Sequence, residues 1–353
     1  MQCRRASWTL RSEVNSERAA GRARPVTPFM SLASPPVIRQ STSSSPSRWV
    51  PWIGLVLGLL FSCRGNDEPR EAQLVDTTAA LSSSVGPNAR SLPHEGRLSA
   101  FRPHFERCAN AFGVHVIATD TVEDAKLEHA ATVLAEWIDN DEDGVPDDPR
   151  VHRALIEGGA FLVMAGTEGE MEEVFDELDF ESLEDAGFWI GQDLYGEETL
   201  PQGPPHVQRS GRFDATLEEV LHLVSNGWVL AYPGDLGYAP GSRLTNAMDL
   251  ARGGRFERIP AEYPEGAWYH YDDRTCDYEC MAAEYLYWAL TTYLGGQSYP
   301  GRAAEIAHEW ECATPAQLVE RDPQVVELLN DPALALPRVL PNGDYRPWST
   351  GNR

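Results

Sequence analysis

The chain has 353 residues, 42% of them hydrophobic, which is enough for one large core or two small lobes. It has 54 acidic residues against 29 basic ones and a net charge of −25. Residues 1–62 carry eight Arg and two Glu, a charge of +6, which leaves −31 for the rest. Because such a surface repels polyanions, we expect no binding of nucleic acid.

The N-terminal region predicts export. An Arg-, Ser- and Pro-rich extension precedes an apolar run at 49–62, which is too short for a membrane-spanning helix and suits a secretion signal. The sequence Leu60-Phe61-Ser62-Cys63 resembles the lipobox of bacterial lipoproteins, which implies lipidation of Cys63 and attachment to a membrane of the cell envelope. The alternatives are an uncleaved anchor or a plain cleaved signal, and Met30 is an alternative start. Residues 63–97 are polar and predict a disordered tether.

Residues 98–353 predict a single, mostly helical α+β domain. Strands are predicted at 114–119 and 161–165, and an amphipathic helix at 122–138. A second helix is predicted at 149–157, where Pro149 suits the first helical position. An acidic helix or loop at 168–186, the motif helix after 214, an irregular stretch at 232–277 and helices at 278–294 and 303–311 complete the prediction.

Residues 139–147 have the pattern of a calcium-binding loop. The loop has carboxylates at positions 1, 3, 5 and 9, Gly144 at position 6 and a backbone carbonyl at position 7; these ligands are Asp139, Asp141, Asp143, Asp147 and Val145. The loop and its flanking helices resemble an EF-hand over about 30 residues, which implies calcium as a structural cofactor. The loop departs from the EF-hand pattern at position 12, where Arg150 replaces the usual Glu. The alternative is a solvated acidic loop between two helices.

The segment that begins at Asp214 contains Glu218-Glu219-x-x-His222, which is the pattern of a zinc-peptidase helix with its first His replaced by Glu. Ligands at i and i+4 share one helical face, a carboxylate is an acceptable zinc ligand, and the intervening Glu is the usual general base. The alternative is a capping box in which Thr216 is the N-cap and Glu219 its partner, with a solvated or cleft-lining polar face on the helix. The buried stripe is predicted at Leu217, Val220, Leu221, Val224 and Trp228.

A catalytic zinc needs a third protein ligand, and Glu284 on the 278–294 helix is the candidate. The Glu-Glu-x-x-His helix followed by a downstream Glu resembles the gluzincin metallopeptidases. The resemblance implies zinc held by Glu218, His222 and Glu284, with Glu219 as general base and a peptide or protein as substrate. His270, in an aromatic loop at 268–273, is a further catalytic candidate because a His can stabilise an oxyanion. The alternatives are a surface role for Glu284 and a packing role for the loop.

Four cysteines follow Cys63, and in an exported protein they predict two disulfides. Cys276 and Cys280 are close enough in sequence to close a small loop, which leaves Cys108 for Cys312; a structural zinc site is the alternative. We therefore expect an exported metallopeptidase-like hydrolase, active or decayed, with a calcium loop. The second hypothesis is a calcium-stabilised protein of the cell envelope that has a binding or structural role and no catalytic activity.

Overall fold

The computed structural model describes residues 8–9, 88–202 and 212–347, and one mixed sheet organises them. The β4–β5 and β5–β6 pairs are parallel, and the other neighbouring pairs are antiparallel. The strands are β1 (Trp8–Thr9), β2 (Arg90–Ser91), β3 (Arg107–Ala111), β4 (Val114–Ala118), β5 (Phe161–Ala165) and β6 (Ile190–Tyr195), in the spatial order β1-β6-β5-β4-β3-β2.

Helices make up most of the regular structure, so the predicted α+β class is confirmed. They are α1 (Asp124–Ile138), α2 (Pro149–Glu157), α3 (Glu168–Glu177), α4 (Phe180–Asp185), α5 (Thr216–Ala231), α6 (Arg243–Ala251), α7 (Tyr278–Tyr293), α8 (Arg302–Ile306), α9 (Pro315–Arg321) and α10 (Pro323–Leu329). None of the helices in the described part of the chain is long and apolar enough to cross a membrane.

Both faces of the sheet are buried, and alternation along the strands assigns side chains to two separate cores. Val116 and Leu162 belong to the larger core with α1, α2 and α5. Their neighbours Ile117 and Val163 face the other way, into a smaller core with α3, α4 and the short 3-10 helix Arg97–Phe101. The sheet is thus the middle layer of three, which explains why the central strand β5 is apolar throughout and β4 is apolar except at His115.

The folded body begins before the predicted boundary at residue 98. The Ala89 amide donates to Glu128 Oε1 on α1 at 3.0 Å, and β2 pairs with β3. Leu92 is 1% exposed within the smaller core. Residues from 89 onward therefore belong to the domain and not to a tether.

Several regular elements differ from the prediction. The strands β3 and β6 were not predicted, the stretch 232–277 contains α6, and the helix expected at 303–311 ends at Ile306. In β6 all six residues, Gly191, Gln192 and Asp193 among them, are buried. A strand covered on both faces shows no alternation, and its polar residues concealed it.

The helix α7 is buried on nearly all sides, with thirteen of its sixteen residues buried. Together with α5, α6, α9 and α10 it extends the larger core away from the sheet. Because a helix in such surroundings is normally apolar all round, the acidic Glu284 within α7 requires partners.

Candidate functional site

The start of α5 is held by a buried carboxylate and not by a capping box. The N-cap is Ala215, which makes no side-chain cap, so the predicted box between Thr216 and Glu219 is wrong. Instead, Asp214 Oδ1 accepts hydrogen bonds from the amides of Leu200 and Thr216. Its Oδ2 accepts from His129 Nε2 at 2.7 Å, and both side chains are buried. This network sets the position from which the first turn of α5 projects its acidic residues.

The polar face of α5 points into the protein. The predicted apolar stripe, Leu217, Val220, Leu221, Val224 and Trp228, is buried as expected. The opposite face is buried too, since Glu219 is 0% and His222 6% exposed. A solvated polar face is therefore wrong for this helix, because α7 and the segments around it cover that side.

Three predicted zinc ligands converge between α5 and α7. One ligand atom from each of Glu218, His222 and Glu284 lies within 4.8 Å of the others. His222 Nε2 is 3.5 Å from Glu284 Oε2, and Tyr271 OH donates to Glu284 Oε1 at 3.2 Å. His222 Nε2 is buried and has no hydrogen-bond partner among the described residues. A buried imidazole nitrogen facing two carboxylates is the donor set that a divalent metal prefers.

The electrostatics of the cluster are strongly negative. Burial disfavours the imidazolium of His222, but Glu284, Glu219 and Glu218 outweigh it and raise the pKa of His222 to about 9. Burial, reinforced by the charge of Glu284, raises the pKa of the Tyr271 hydroxyl well above its usual value. The site attracts a positive charge, and a proton takes that place when no other cation is bound.

Glu219, the expected general base, is not one of the three converging ligands and contacts the sheet instead. Its Oε2 accepts a hydrogen bond from Gln192 Nε2 on β6, and both side chains are buried. The sheet therefore orients the carboxylate of Glu219 while its charge acts on His222. Gln192 was not identified from the sequence, since nothing in its surroundings there distinguishes it from a surface amide.

His270 is not part of the three-ligand cluster. Its Nε2 is 3.0 Å from the Ala267 carbonyl oxygen and 3.8 Å from Glu311 Oε1. Together with Tyr263 and Asp272 it lines an open groove of about 500 Å³. Its neighbour Tyr271 reaches Glu284, so the aromatic loop connects the groove to the three-ligand cluster.

A second cluster, missed in the sequence, borders this groove. Ligand atoms of Asp272, His308 and Glu309 lie within 4.8 Å of one another. Burial, followed by the charges of Glu284, Asp272 and Glu218, raises the pKa of Glu309 to about 8. His308 and Glu309 follow α8 without a recognisable motif, and only the tertiary structure brings them beside Asp272.

The cysteines form one disulfide. Cys276 and Cys280 are bonded with a Cα–Cα distance of 5.4 Å, as predicted, and the bridge closes the entry to α7. The expected pairing of Cys108 with Cys312 is wrong, because both are free and buried. Cys108 lies in the smaller core and Cys312 in the larger one, so the two thiols belong to separate packing units.

The calcium-type loop follows α1 directly and turns through Gly144, whose φ is +91°. Carboxylate oxygens of Asp139, Asp141 and Asp147 lie within 4.8 Å of one another. The Gly144 amide donates to Asp139 Oδ2 at 2.8 Å, which holds the first carboxylate over the turn. Arg150 does not enter the loop, because its guanidinium bonds to the N-cap Asp148 of α2.

The apolar run at 49–62 and Cys63 lie outside the described residues. Comparisons with protein-family models, with curated protein sequences and with solved structures gave no match.

Proposed function

We propose that this chain is an exported, lipid-anchored, zinc-dependent hydrolase that cleaves peptide bonds, with a structural calcium loop. The observation that carries the proposal is the buried Nε2 of His222, which faces Glu218 and Glu284 and has no hydrogen-bond partner among the described residues. Nε2 lies 3.5 Å from Glu284 Oε2, within ion-pair distance but without a hydrogen bond, so a cation between the two groups would bind both. Export and lipid attachment are proposed from the apolar run at 49–62 and from Cys63.

The residues fit zinc in number and type. One imidazole and two carboxylates are three protein ligands, which leaves a coordination position open for water or substrate. When bound, zinc polarises a carbonyl and lowers the pKa of water. The i, i+4 spacing of Glu218 and His222 places both on one face of α5, and α7 supplies Glu284. Tyr271 orients Glu284 through its hydroxyl group.

The remaining chemistry falls to the protein. Glu219 takes a proton from the attacking water, whose oxygen forms a bond to the carbonyl carbon. The C–N bond then breaks, and the leaving amine receives the proton that Glu219 carried. Gln192 fixes the orientation of Glu219 throughout. His270 borders the groove, and its proposed role is to donate a hydrogen bond to the substrate backbone.

Calcium would stabilise the fold at the C-terminal end of α1. Asp139, Asp141, Asp143 and Asp147 with the Val145 carbonyl are the proposed ligands. Tyr345 OH donates to Asp139 Oδ2, so the loop is also connected to the C-terminal segment. Outside the cell, calcium is abundant enough to keep a weak site occupied.

A second candidate function is a non-catalytic, calcium-stabilised envelope protein. Two observations favour it: Glu218 replaces the first His of the motif, and Glu219 is completely buried with Gln192 as a partner. In that case the cluster of Glu218, His222 and Glu284 is a remnant that holds a proton instead of a metal.

Metal content distinguishes the two functions. The full-length protein is dialysed against trace zinc and calcium, and the metals are counted by inductively coupled plasma mass spectrometry. At least one zinc per chain, reduced by His222→Ala and unchanged by the exposed control His94→Ala, is the expected result. Calcium without zinc in the wild type would leave only the envelope function.

Catalysis is tested with a library of quenched fluorescent peptides. Glu219→Gln keeps the shape of the side chain and is expected to lower kcat by about 10²–10⁴ while zinc content stays unchanged. Zinc binding without chelator-sensitive hydrolysis of any peptide would reduce the site to a binding centre.

A further inference from the structure

The C-terminal segment 338–346, which we call the strap, is bound to one end of α1. It forms neither helix nor strand, so its backbone polar groups need other partners. Five of its amides donate to the side chains of Glu136, Asn140 and Glu142; they are the amides of residues 338, 339, 342, 343 and 346. Tyr345 OH donates a further hydrogen bond to Asp139. All these bonds end on residues 136–142, where α1 passes into the calcium-type loop.

The calcium-type loop alternates between two partners. The residues at its first, third and fifth positions are proposed calcium ligands, whereas the two residues between them, Asn140 and Glu142, bind the strap. Asn140 Oδ1 accepts from the Arg338 and Val339 amides at 2.7 and 2.9 Å, and its Nδ2 donates to the Val339 carbonyl at 2.8 Å. Glu142 Oε2 accepts from the amide of residue 346 at 3.1 Å. The loop conformation that presents the calcium ligands is therefore the one that holds the strap.

This loop conformation is not favoured by its own residues. Carboxylate oxygens of Asp139, Asp141 and Asp147 lie within 4.8 Å of one another, and their negative charges repel unless a cation lies between them. Glu142 has φ +54°, in the left-handed region that residues other than Gly rarely adopt. Calcium would remove the repulsion and stabilise the turn, and with it the residues that bind the strap.

The strap reaches the start of α5 through Gly343. A Cβ added at Gly343 would lie 2.5 Å from Cε1 and 2.6 Å from Nδ1 of His129, so the backbone packs directly against that edge of the ring. The Nε2 of the same ring bonds to Asp214, which also accepts from the amide of the first residue of α5. Glu136 Oε2 accepts from the Gly343 amide at 2.8 Å and fixes this contact. A continuous series of contacts thus joins the calcium-type loop to the helix that carries two of the three proposed zinc ligands.

Docking of a C-terminal tail is the ordinary explanation for such a segment. It accounts for Leu340 and Tyr345, which are partly buried against the larger core. It does not account for the loop residues that bind the strap amides. Nor does it account for a glycine backbone packed on His129, which is 4% exposed and belongs to the network that begins α5. These two contacts are what a physical connection between the sites requires.

We infer that the strap couples the two proposed metal sites, so that calcium in the loop at 139–147 strengthens the binding of zinc between α5 and α7. This inference rests on the proposed calcium and zinc sites. Coupling between sites typically changes affinity by about 5–150-fold, and it is reciprocal. We expect zinc affinity to rise about tenfold when calcium binds. An exported hydrolase with this device would bind zinc tightly only outside the cell, where calcium is abundant.

The test is the zinc dissociation constant measured with and without calcium. The full-length protein is stripped with a chelator and transferred to buffer freed of metals on a chelating resin. Zinc is then titrated against a chromophoric competitor, in calcium-free buffer and in millimolar calcium. Circular dichroism verifies that the protein is folded in both buffers, so a change in zinc affinity does not reflect unfolding. Wild type should bind zinc about tenfold more tightly with calcium, whereas competition of calcium for the zinc ligands would have the opposite sign.

Two variants break the strap at its two contacts. Asn140→Ala removes three hydrogen bonds between loop and strap without removing a proposed calcium ligand, and Gly343→Ala forces the strap away from His129. Each should bind both metals but lose most of the calcium effect on zinc affinity. The matched controls are Asn246→Ala, at an exposed Asn of α6, and Gly295→Ala, at a Gly with φ +81° and open space. Both controls should keep the full effect.

The outcomes separate this inference from the proposed function. Equal zinc affinity with and without calcium, in a wild type that binds both metals, would overturn the coupling and leave both sites intact. A calcium effect kept in both Asn140→Ala and Gly343→Ala would overturn the strap as its route. No zinc binding in either buffer would overturn the proposed hydrolase and this inference with it. No calcium binding, counted by mass spectrometry, would overturn the calcium loop and the coupling together.

Discussion

The pair of His129 and Asp214 is the strongest test of how the metal-binding helix is positioned. The two side chains are 4% and 0% exposed, and the Nε2–Oδ2 distance is 2.7 Å. The other oxygen of Asp214 accepts from the amides of Leu200 and Thr216, the latter at the start of α5. Asp214→Ala therefore removes three hydrogen bonds from a site that water does not reach.

The expected cost is large. Hydrogen bonds to a carboxylate contribute roughly 1.5–3 kcal/mol each, the three are not additive, and each buried group left without its partner costs about 1–3 kcal/mol. We expect Asp214→Ala to lower the free energy of unfolding by about 4 kcal/mol. Asp214→Asn keeps an oxygen for the two amides and should lose less, about 2 kcal/mol, through the altered bond to His129.

Urea denaturation followed by circular dichroism, with calcium present, measures these differences. Asp120→Ala is the matched control, because Asp120 is exposed and should change stability by less than about 0.5 kcal/mol. A loss below about 1 kcal/mol in Asp214→Ala would refute the reasoning, since the network would then not hold α5. Zinc affinity should fall with the same variant, because the first turn of α5 carries Glu218.

Three further predictions concern stability. Burial, with Arg97 and Arg90, lowers the pKa of His115 to about 4, below its value in the unfolded chain. The unfolded state thus binds more protons between pH 6.5 and 4, and acidification from pH 7 to 4.5 should cost about 2 kcal/mol more in wild type than in His115→Gln, measured by urea denaturation at both values. Gly343 has φ +79°, and an added Cβ would lie 2.5 Å from the ring of His129, whereas Gly295 has φ +81° and open space. Gly343→Ala should therefore cost about 1–2 kcal/mol more than Gly295→Ala, and equal costs would contradict the packing argument. Calcium should raise the melting temperature of the wild type and have a smaller effect on Asp141→Asn, recorded by differential scanning calorimetry; an equal rise in both would exclude the loop as the binding site.

Much of the fold was predictable from local patterns. The helices α1 and α2 and the strands β4 and β5 appear where hydrophobic periodicity and Pro149 predict them. The turn at Gly144 and the short Cys276–Cys280 loop also follow from neighbouring residues. These features depend on contacts between residues close in sequence, and such contacts leave a recognisable spacing.

Features that depend on contacts between distant segments were harder to predict from the sequence. The strand β6 is covered on both faces and shows no alternation of polar and apolar residues. Its polar residues Gln192 and Asp193 therefore did not indicate a buried strand, although both are buried. Cys108 and Cys312 were expected to pair because the number of cysteines is even, yet separate cores hold them. Counting cysteines carries no information about which core a thiol enters.

The candidate site shows the same division. The sequence by itself determined that Glu218 and His222 share a helical face, because one turn of helix separates residues four apart. Only the tertiary structure decided that this face is buried against α7, that Glu284 meets it, and that Asp272 and Glu309 lie beside it. Spacing within a helix is set by its own hydrogen bonds, whereas the approach of two helices is set by packing over the whole core.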